Sequence, residues 1–238
     1  MMSMNDGGLE LIFNGLPLNF RVMNIPLSME TQFEFMEVMQ GLGERGKVEN
    51  WREGEARLLS PDTPLEERKV LLAQLTTTDD VEVMRALERY AESCPDDIKG
   101  FAQMAAYQSK LFLEASLLGE NQIVVASGLG GEGDKMRFFV ALQSCKRKPL
   151  SAAQQRVVQQ EVAYQLKQHN VVAESITFEG CYAKVLVLVP MRTGVHRLFQ
   201  QCIDACNELG EFLEKNMVIS TVKALNAEEL DKITAEDA

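Results

Sequence analysis

An α+β fold is predicted by three features of this 238-residue sequence. Residues 63–120 carry apolar positions at helical spacing between capping and breaking residues. Residues 121–224 alternate strand patterns with two amphipathic helices, in the order strand, strand, helix, strand, strand, helix, strand. The third is composition: 46% of residues are hydrophobic and 25% charged, enough apolar surface for one large domain or two small ones.

Residues 1–8 are small, polar or Met and are expected to be disordered. Leu9, Leu11 and Phe13 alternate with polar neighbours up to Asn14-Gly15, and Leu16, Leu18, Phe20 and Val22 alternate after it, a hairpin signal. Pro17 has no N–H to donate, which assigns that hairpin to a sheet edge. Ser28 caps a helix with Met29, Phe33, Met36 and Leu42 along one side, ended by Gly41 and Gly43. The charged stretch 44–61 reads as irregular, with Trp51, the only tryptophan, pinning it to the core. Residues 9–62 are thus a hairpin, a helix and an irregular segment.

Thr63-Pro64-Leu65-Glu66 combines a capping box with proline at the first helical position, and Val70, Leu71 and Leu75 supply the apolar face. Asp79 with Glu82 opens a second helix striped by Met84, Leu87 and Ala91, which Cys94-Pro95 breaks. Asp96 caps a third, with Ile98, Phe101, Ala102, Ala105, Phe112 and Ala115 on one face, ending near Gly119. Connections this short make the three antiparallel neighbours, a helical domain over 63–120.

In 121–224, residues 123–125 lead through a glycine-rich turn into a returning strand, 136–142. Ser151 and Gln154 form a capping box, opening a helix through Val157, Val158, Val162 and Leu166 that stops at His169-Asn170. Strands 172–178 and 182–189 turn at Glu179-Gly180, and the unbroken apolar run 185–189 marks a central strand. Thr193 caps a long helix with Val195, Leu198, Phe199, Cys202, Ile203, Cys206, Leu209 and Leu213 in one stripe. A last strand, 217–222, precedes an acidic tail, 225–238.

Without its first strand, this order is similar to the split βαβ of ferredoxin-like domains, here ββαββαβ with one extra N-terminal strand and helices on one face. The helices of 63–120 resemble the pairs of HEAT-type solenoids in packing only, because no sequence period repeats. Neither resemblance implies an activity: ferredoxin-like architecture hosts enzymes, metabolite-sensing modules of the ACT kind and RNA binders.

The net charge of −11 disfavours nucleic acid or anionic membrane as a whole-molecule partner. No apolar run approaches the ~18 residues of a spanning helix, and residues 1–14 lack the basic start of a secretory signal. Five cysteines without paired spacing suit a reducing, cytoplasmic location. The charge is unevenly spread. Residues 1–120 hold 11 Lys+Arg against 21 Asp+Glu, residues 121–224 hold 12 against 9, and the tail holds 1 against 5.

Gly128, Gly130 and Gly133 satisfy G-x-G-x-x-G after a strand, but a strand pattern follows, with no helix N-terminus to receive a pyrophosphate. They read as a flexible hairpin tip. Cys202 and Cys206 lie within an apolar stripe and explain themselves as small buried residues, so no metal site and no cofactor is expected. Cys145 adjoins Lys146, Arg147 and Lys148, cations that favour a thiolate, but no partner base is identifiable. Of the two histidines, His169 suits the negative end of a helix dipole, whereas His196 stands at a positive end.

The split βαβ order is expected to make the two strands that lead into helices parallel neighbours at the sheet centre, so that both strand-to-helix loops leave the same end. Lys146, Arg147, Lys148, Arg192, Thr193, His196 and Arg197 would then form one basic pole beside two helix N-termini, away from the glycine hairpin. The reading is a non-enzymatic binding or scaffolding protein that docks a small anionic ligand or an acidic protein partner there. The alternatives are an enzyme acting on an anionic substrate near Cys145, His196 and Arg192, and RNA binding on the sheet face through Phe138 or Phe139. A homodimer through a sheet edge at the front hairpin is a further expectation.

Overall fold

A computed structural model describes residues 20–43, 48, 50–119 and 123–236. The expected disorder of 1–8 and all but the end of the 9–22 hairpin fall outside the described residues. The chain forms two compact units: a helical one, Leu27–Ile123, and an α+β one built from Met1–Pro26 and Val124–Ala238. The two units therefore do not follow one another along the chain. The helical unit interrupts the other between β1 (Phe20–Val22) and β2 (Ile123–Val125), which pair as a two-stranded sheet, Met23 N–H donating to Val125 O at 2.9 Å.

The helical unit contains α1 (Met29–Leu42), α2 (Trp51–Leu59), α3 (Leu65–Thr76), α4 (Val81–Ser93) and α5 (Asp96–Leu118). Ser28 caps α1 as expected, its Oγ accepting from Thr31 N–H. Leu42 is buried as expected, but the rest of the buried face differs: Phe35 enters the core while Phe33 and Met36 are 59% and 51% exposed. The stretch expected to be irregular contains α2, capped by Asn50, and Trp51 packs partly buried on the helical core. The capping box expected at Thr63 does not form. Pro64 is the N-cap of α3, and the Thr63 hydroxyl donates to Arg57 O instead. Asp80 rather than Asp79 caps α4, and α5 follows Pro95 and ends at left-handed Gly119. Phe35 meets Phe101 edge-on in a core shared by Leu72, Leu75, Leu87 and Ile98.

The α+β unit continues with β3 (Gly131–Glu132), β4 (Lys135–Ser144), a short 3₁₀ turn (Cys145–Arg147), α6 (Ala152–Gln168), β5 (Val172–Glu179), β6 (Tyr182–Pro190), α7 (Val195–Glu208), β7 (Leu213–Ser220) and α8 (Ala227–Glu236). The main sheet runs β3-β4-β6-β5, with β7 also on β4, and all its pairings are antiparallel. From β4 onward this is the split βαβ pattern of ferredoxin-like domains. The extra front strand departs from expectation: β2 joins β1, and the hairpin partner of β4 is the two-residue β3. The capping box at Ser151 and Gln154 is present, and the α7 stripe is buried from Val195 to Cys206. That helix ends at Glu208, leaving Leu209 exposed and Leu213 in β7.

Helices lie on both faces of the sheet, not on one. Val158, Val162 and Leu166 of α6 and Leu198, Phe199, Cys202 and Ile203 of α7 pack against Phe138, Val140, Val185, Val187 and Val189. On the opposite face, Leu225 and Leu230 of the supposed acidic tail pack with Phe139, Ala141 and Tyr182. The tail is a docked helix because Leu225, Leu230 and Ile233 give it an apolar side that its charge conceals in composition.

Candidate functional site

The single basic pole does not form. β4 and β6 pair antiparallel, Lys135 opposite Pro190 and Gln143 opposite Tyr182. In this topology each crossover helix returns the chain parallel to the strand before it, but the β5–β6 hairpin inserts β6 in the reverse direction. The loop after β4 and the loop after β6 therefore leave opposite ends of the sheet, about 25 Å apart for strands of this length. Lys146, Arg147 and Lys148 are at one end; Arg192, Thr193, His196 and Arg197 are at the other.

At the first end, Lys146 and Arg147 adopt left-handed backbone, with φ 63° and 51°. Such geometry costs L-residues roughly 1–2 kcal/mol each. The turn is held by Ser144 Oγ donating to Lys148 O and by Cys145 N–H donating to Phe212 O at 2.8 Å. Arg147 reaches α8, its Nη2 3.3 Å from Thr234 O. The Cys145 thiol is not activated: burial raises its pKa, and Glu214 and Glu211 raise it further, against the expectation that the adjacent cations favour a thiolate. The α6 donors at this end are engaged by the capping box, Ser151 Oγ accepting from Gln154 N–H and Gln154 Oε1 from Ser151 N–H.

The second end is built differently. Pro190 turns the chain, with Thr193 N–H donating to Pro190 O at 2.8 Å, and the N-cap of α7 is Gly194 rather than Thr193. Gly194 has no side chain with which to cap α7, and the first turn of the helix contains no acidic residue. Arg192, His196 and Arg197 are exposed there. The glycine hairpin shares this end, contrary to expectation, since Met191 N–H donates to Asp134 O at 3.2 Å. Gly130 and Gly133 have the positive φ that a hairpin tip requires, 67° and 61°, and other glycines of the segment are closely packed. Gly128 lies so close to Val222 that an added Cβ would sit 2.1 Å from its carbonyl oxygen, and Gly130 is pressed on the backbone of Met23 and Ile25. The glycines admit close backbone packing, which accounts for the motif without a phosphate.

Cys202 and Cys206 are buried free thiols whose pKa values burial raises to about 12 and about 11. Among the described residues no three His, Cys, Asp or Glu side chains are grouped to hold a metal ion. Phe138 and Phe139 do point to opposite faces, but both are buried, Phe139 beside α8, so neither offers a base-stacking surface. His169 is the C-cap of α6, as its position suggested.

One group escaped the sequence reading. In the helical unit, two adjoining hollows of about 80 and 210 Å³ lie between α2, α3 and α4 and share Leu58, Leu59, Tyr90 and Ser93. Tyr90 and Arg68 lie beside this cleft with the Tyr90 hydroxyl and Arg68 Nε buried, the guanidinium next to the phenol. Burial raises the Tyr90 pKa, and the charge and side-chain hydrogen bond of Arg68 oppose that rise. The sole signal in the sequence was a tyrosine and a cysteine four residues apart, Tyr90 and Cys94, which helical periodicity assigns to the core.

The fold defines the class: a ferredoxin-like α+β unit interrupted by a five-helix unit in its described part. No protein-family model matches the sequence, and no curated protein is similar enough to it to indicate a relationship.

Proposed function

We propose that the protein acts by binding rather than by catalysis, docking a small anionic ligand or an acidic protein surface at the α7 end of the α+β unit. The observation that carries this reading is the start of α7, 14 residues long, with glycine as its N-cap and no first-turn acid, beside exposed Arg192 and with His196 and Arg197 in its first turn. The positive end of the helix dipole favours an anion, and a guanidinium group adds charge-assisted hydrogen bonds. The Lys146 end supports it less, because a capping box engages the Gln154 N–H of its helix and the Glu211 and Glu214 charges act on its turn. An enzymatic role through Cys145 gains nothing from a thiol held protonated. Five free thiols support a reducing, cytoplasmic compartment.

Titration with inorganic phosphate at constant ionic strength, read as melting temperature, tests the proposal. The wild-type chain and Lys148→Ala are expected to gain stability, and Arg192→Ala to lose most of that gain while keeping the wild-type melting temperature without phosphate. An unresponsive wild type, or an unchanged response in Arg192→Ala, rejects the site. A homodimer through a sheet edge is a second reading, favoured by β5, the terminal strand of the sheet order, whose residues 172–175 are all exposed. Sedimentation of a single monomeric species at high concentration would reject it.

A further inference from the structure

We propose that two copies of the chain associate through β5, pairing antiparallel with Thr177 on the two-fold axis, so that their sheets become one. This rests on the homodimer reading given above and names its strand, register and partner. Among the described residues β5 pairs with β6 alone, and residues 172–175, Thr177 and Glu179 are exposed. Glu179 and Tyr182 stand opposite each other across the two-residue turn Gly180-Cys181. The closing pair of such a turn exchanges both of its hydrogen bonds, and bonded and non-bonded pairs then alternate along the strands. Thr177 and Ser175 therefore bond inward to β6, whereas Ile176 and Phe178 turn their N–H and C=O groups to the free edge.

A two-fold axis at Thr177 sets Ile176 opposite the partner's Phe178 and Phe178 opposite the partner's Ile176, and every one of these edge groups finds a hydrogen-bond partner. Each such pair joins a β-branched and an aromatic side chain, both only partly buried against their own core. The two Thr177 side chains meet at the axis as a non-hydrogen-bonded pair, where side chains approach most closely. Charge permits this register. Glu179 falls opposite the partner's Ser175 and Glu174 opposite the partner's Gly180, so no carboxylate directly faces another. Both acids are also neutralised within their own sheet: Arg137 of β4 holds Glu174 bidentately, at 2.5 and 2.7 Å, and Lys184 of β6 holds Glu179. The edge is thus uncharged on a chain whose net charge of −11 otherwise opposes self-association. It also lacks the residues that blunt edge strands, since β5 contains no lysine or proline, and its irregularity between Ala173 and Ser175 lies outside residues 176–178. By contrast β7, on the far side of β4, exposes Glu214, Lys215 and Asn216 in succession.

Sedimentation equilibrium of the full-length chain from about 5 to about 500 µM tests the pairing, a range suited to so small an interface. The wild type is expected to dimerise reversibly within it. Thr177→Glu brings two carboxylates together at the axis while standing opposite Lys184 within its own sheet; it is expected to stay folded and to weaken the dimer at least about tenfold. Thr177→Lys alone is expected to be weakened likewise, and an equimolar mixture of the two variants to regain the wild-type constant within about threefold. Should Lys184 unfold Thr177→Lys, amide exchange of the wild type decides: the Ile176 and Phe178 N–H groups are expected to exchange several-fold more slowly at the high concentration than at the low. A monomer throughout overturns this proposal and the homodimer reading together. A dimer unaffected by Thr177→Glu, folded variants that fail to rescue each other when mixed, or exchange at Ile176 and Phe178 independent of concentration overturns the β5 register alone and leaves the homodimer reading to another edge.

Discussion

Tyr182 donates its hydroxyl to Asp231 Oδ1 at 2.7 Å, and its ring packs with Phe139, Ala141 and Leu230. Burial, with Asp231 adding to it, pushes the phenol from 10 up to about 12, and burial likewise raises Cys202 from 9 to about 12 and Cys206 to about 11. The sign follows from linkage: each folded-state value lies above the unfolded one, so the folded chain holds these protons more tightly. Their contribution is complete below about pH 9 and is lost as pH rises toward 12. Urea midpoints are therefore expected to fall steadily above pH 9, with the fall between 10 and 12 reduced in Tyr182→Phe. An equally steep fall in that variant would assign the loss to other groups. At neutral pH the same substitution is expected to cost about 1 kcal/mol, the usual net value of one hydrogen bond. The sequence showed Phe138 and Phe139 on opposite faces, since strand side chains alternate. It did not show that Phe139 was covered, because the cover comes from residues about ninety positions further on.

For elements, spacing identified helices better than it identified their buried sides. The α1 sequence carries two apolar stripes, one through Phe33 and Met36 and one through Phe35, Val38, Met39 and Leu42, and only packing against neighbouring helices selects the second. The glycine hairpin offers a direct test of packing against conformation. Gly128→Ala forces a Cβ into the Val222 carbonyl and is expected to destabilise by about 3 kcal/mol or more. Gly133 has open space but φ +61°, so Gly133→Ala is expected to cost only about 1 kcal/mol. Comparable losses in the two variants would mean that the hairpin does not pack on residues 221–223. Helix α8 has 10 residues, too short to persist alone, and depends on its buried Leu230. Leu230→Ala is expected to cost about 2–4 kcal/mol and to release α8 to rapid amide exchange. Protection unchanged in that variant would show another anchor to dominate.

At the scale of the whole molecule, the chain leaves the α+β unit after Pro26 and returns at Val124, and β1 and β2 hold these two points together. Each unit has its own core. Replacing residues 27–122 by a short Gly-rich turn is expected to leave the α+β unit folded, with cooperative unfolding and the far-ultraviolet signature of a helix-covered sheet. Loss of cooperativity in that deletion would mean that the helical unit is needed for the fold. The charge division read along the sequence corresponds to this partition, with the acidic share of residues 27–120 in the helical unit and the mildly basic share in the strands and their loops.

The sequence by itself determined the α+β class, the order of strands and helices from β4 to β7, the Ser28 and Ser151 caps and the alternation that builds the sheet. These follow from local periodicity and from backbone donors that a neighbouring side chain can satisfy. Only the tertiary structure decided which strands pair and in which direction, where the helical unit interrupts the chain, and that the acidic tail covers the sheet. Those outcomes depend on contacts between residues far apart in sequence, and strand direction in particular leaves no mark in composition or spacing. One reversed strand, β6 between β4 and β5, separates Lys146, Arg147 and Lys148 from Arg192, Thr193, His196 and Arg197 and turns one expected basic pole into two ends of a sheet.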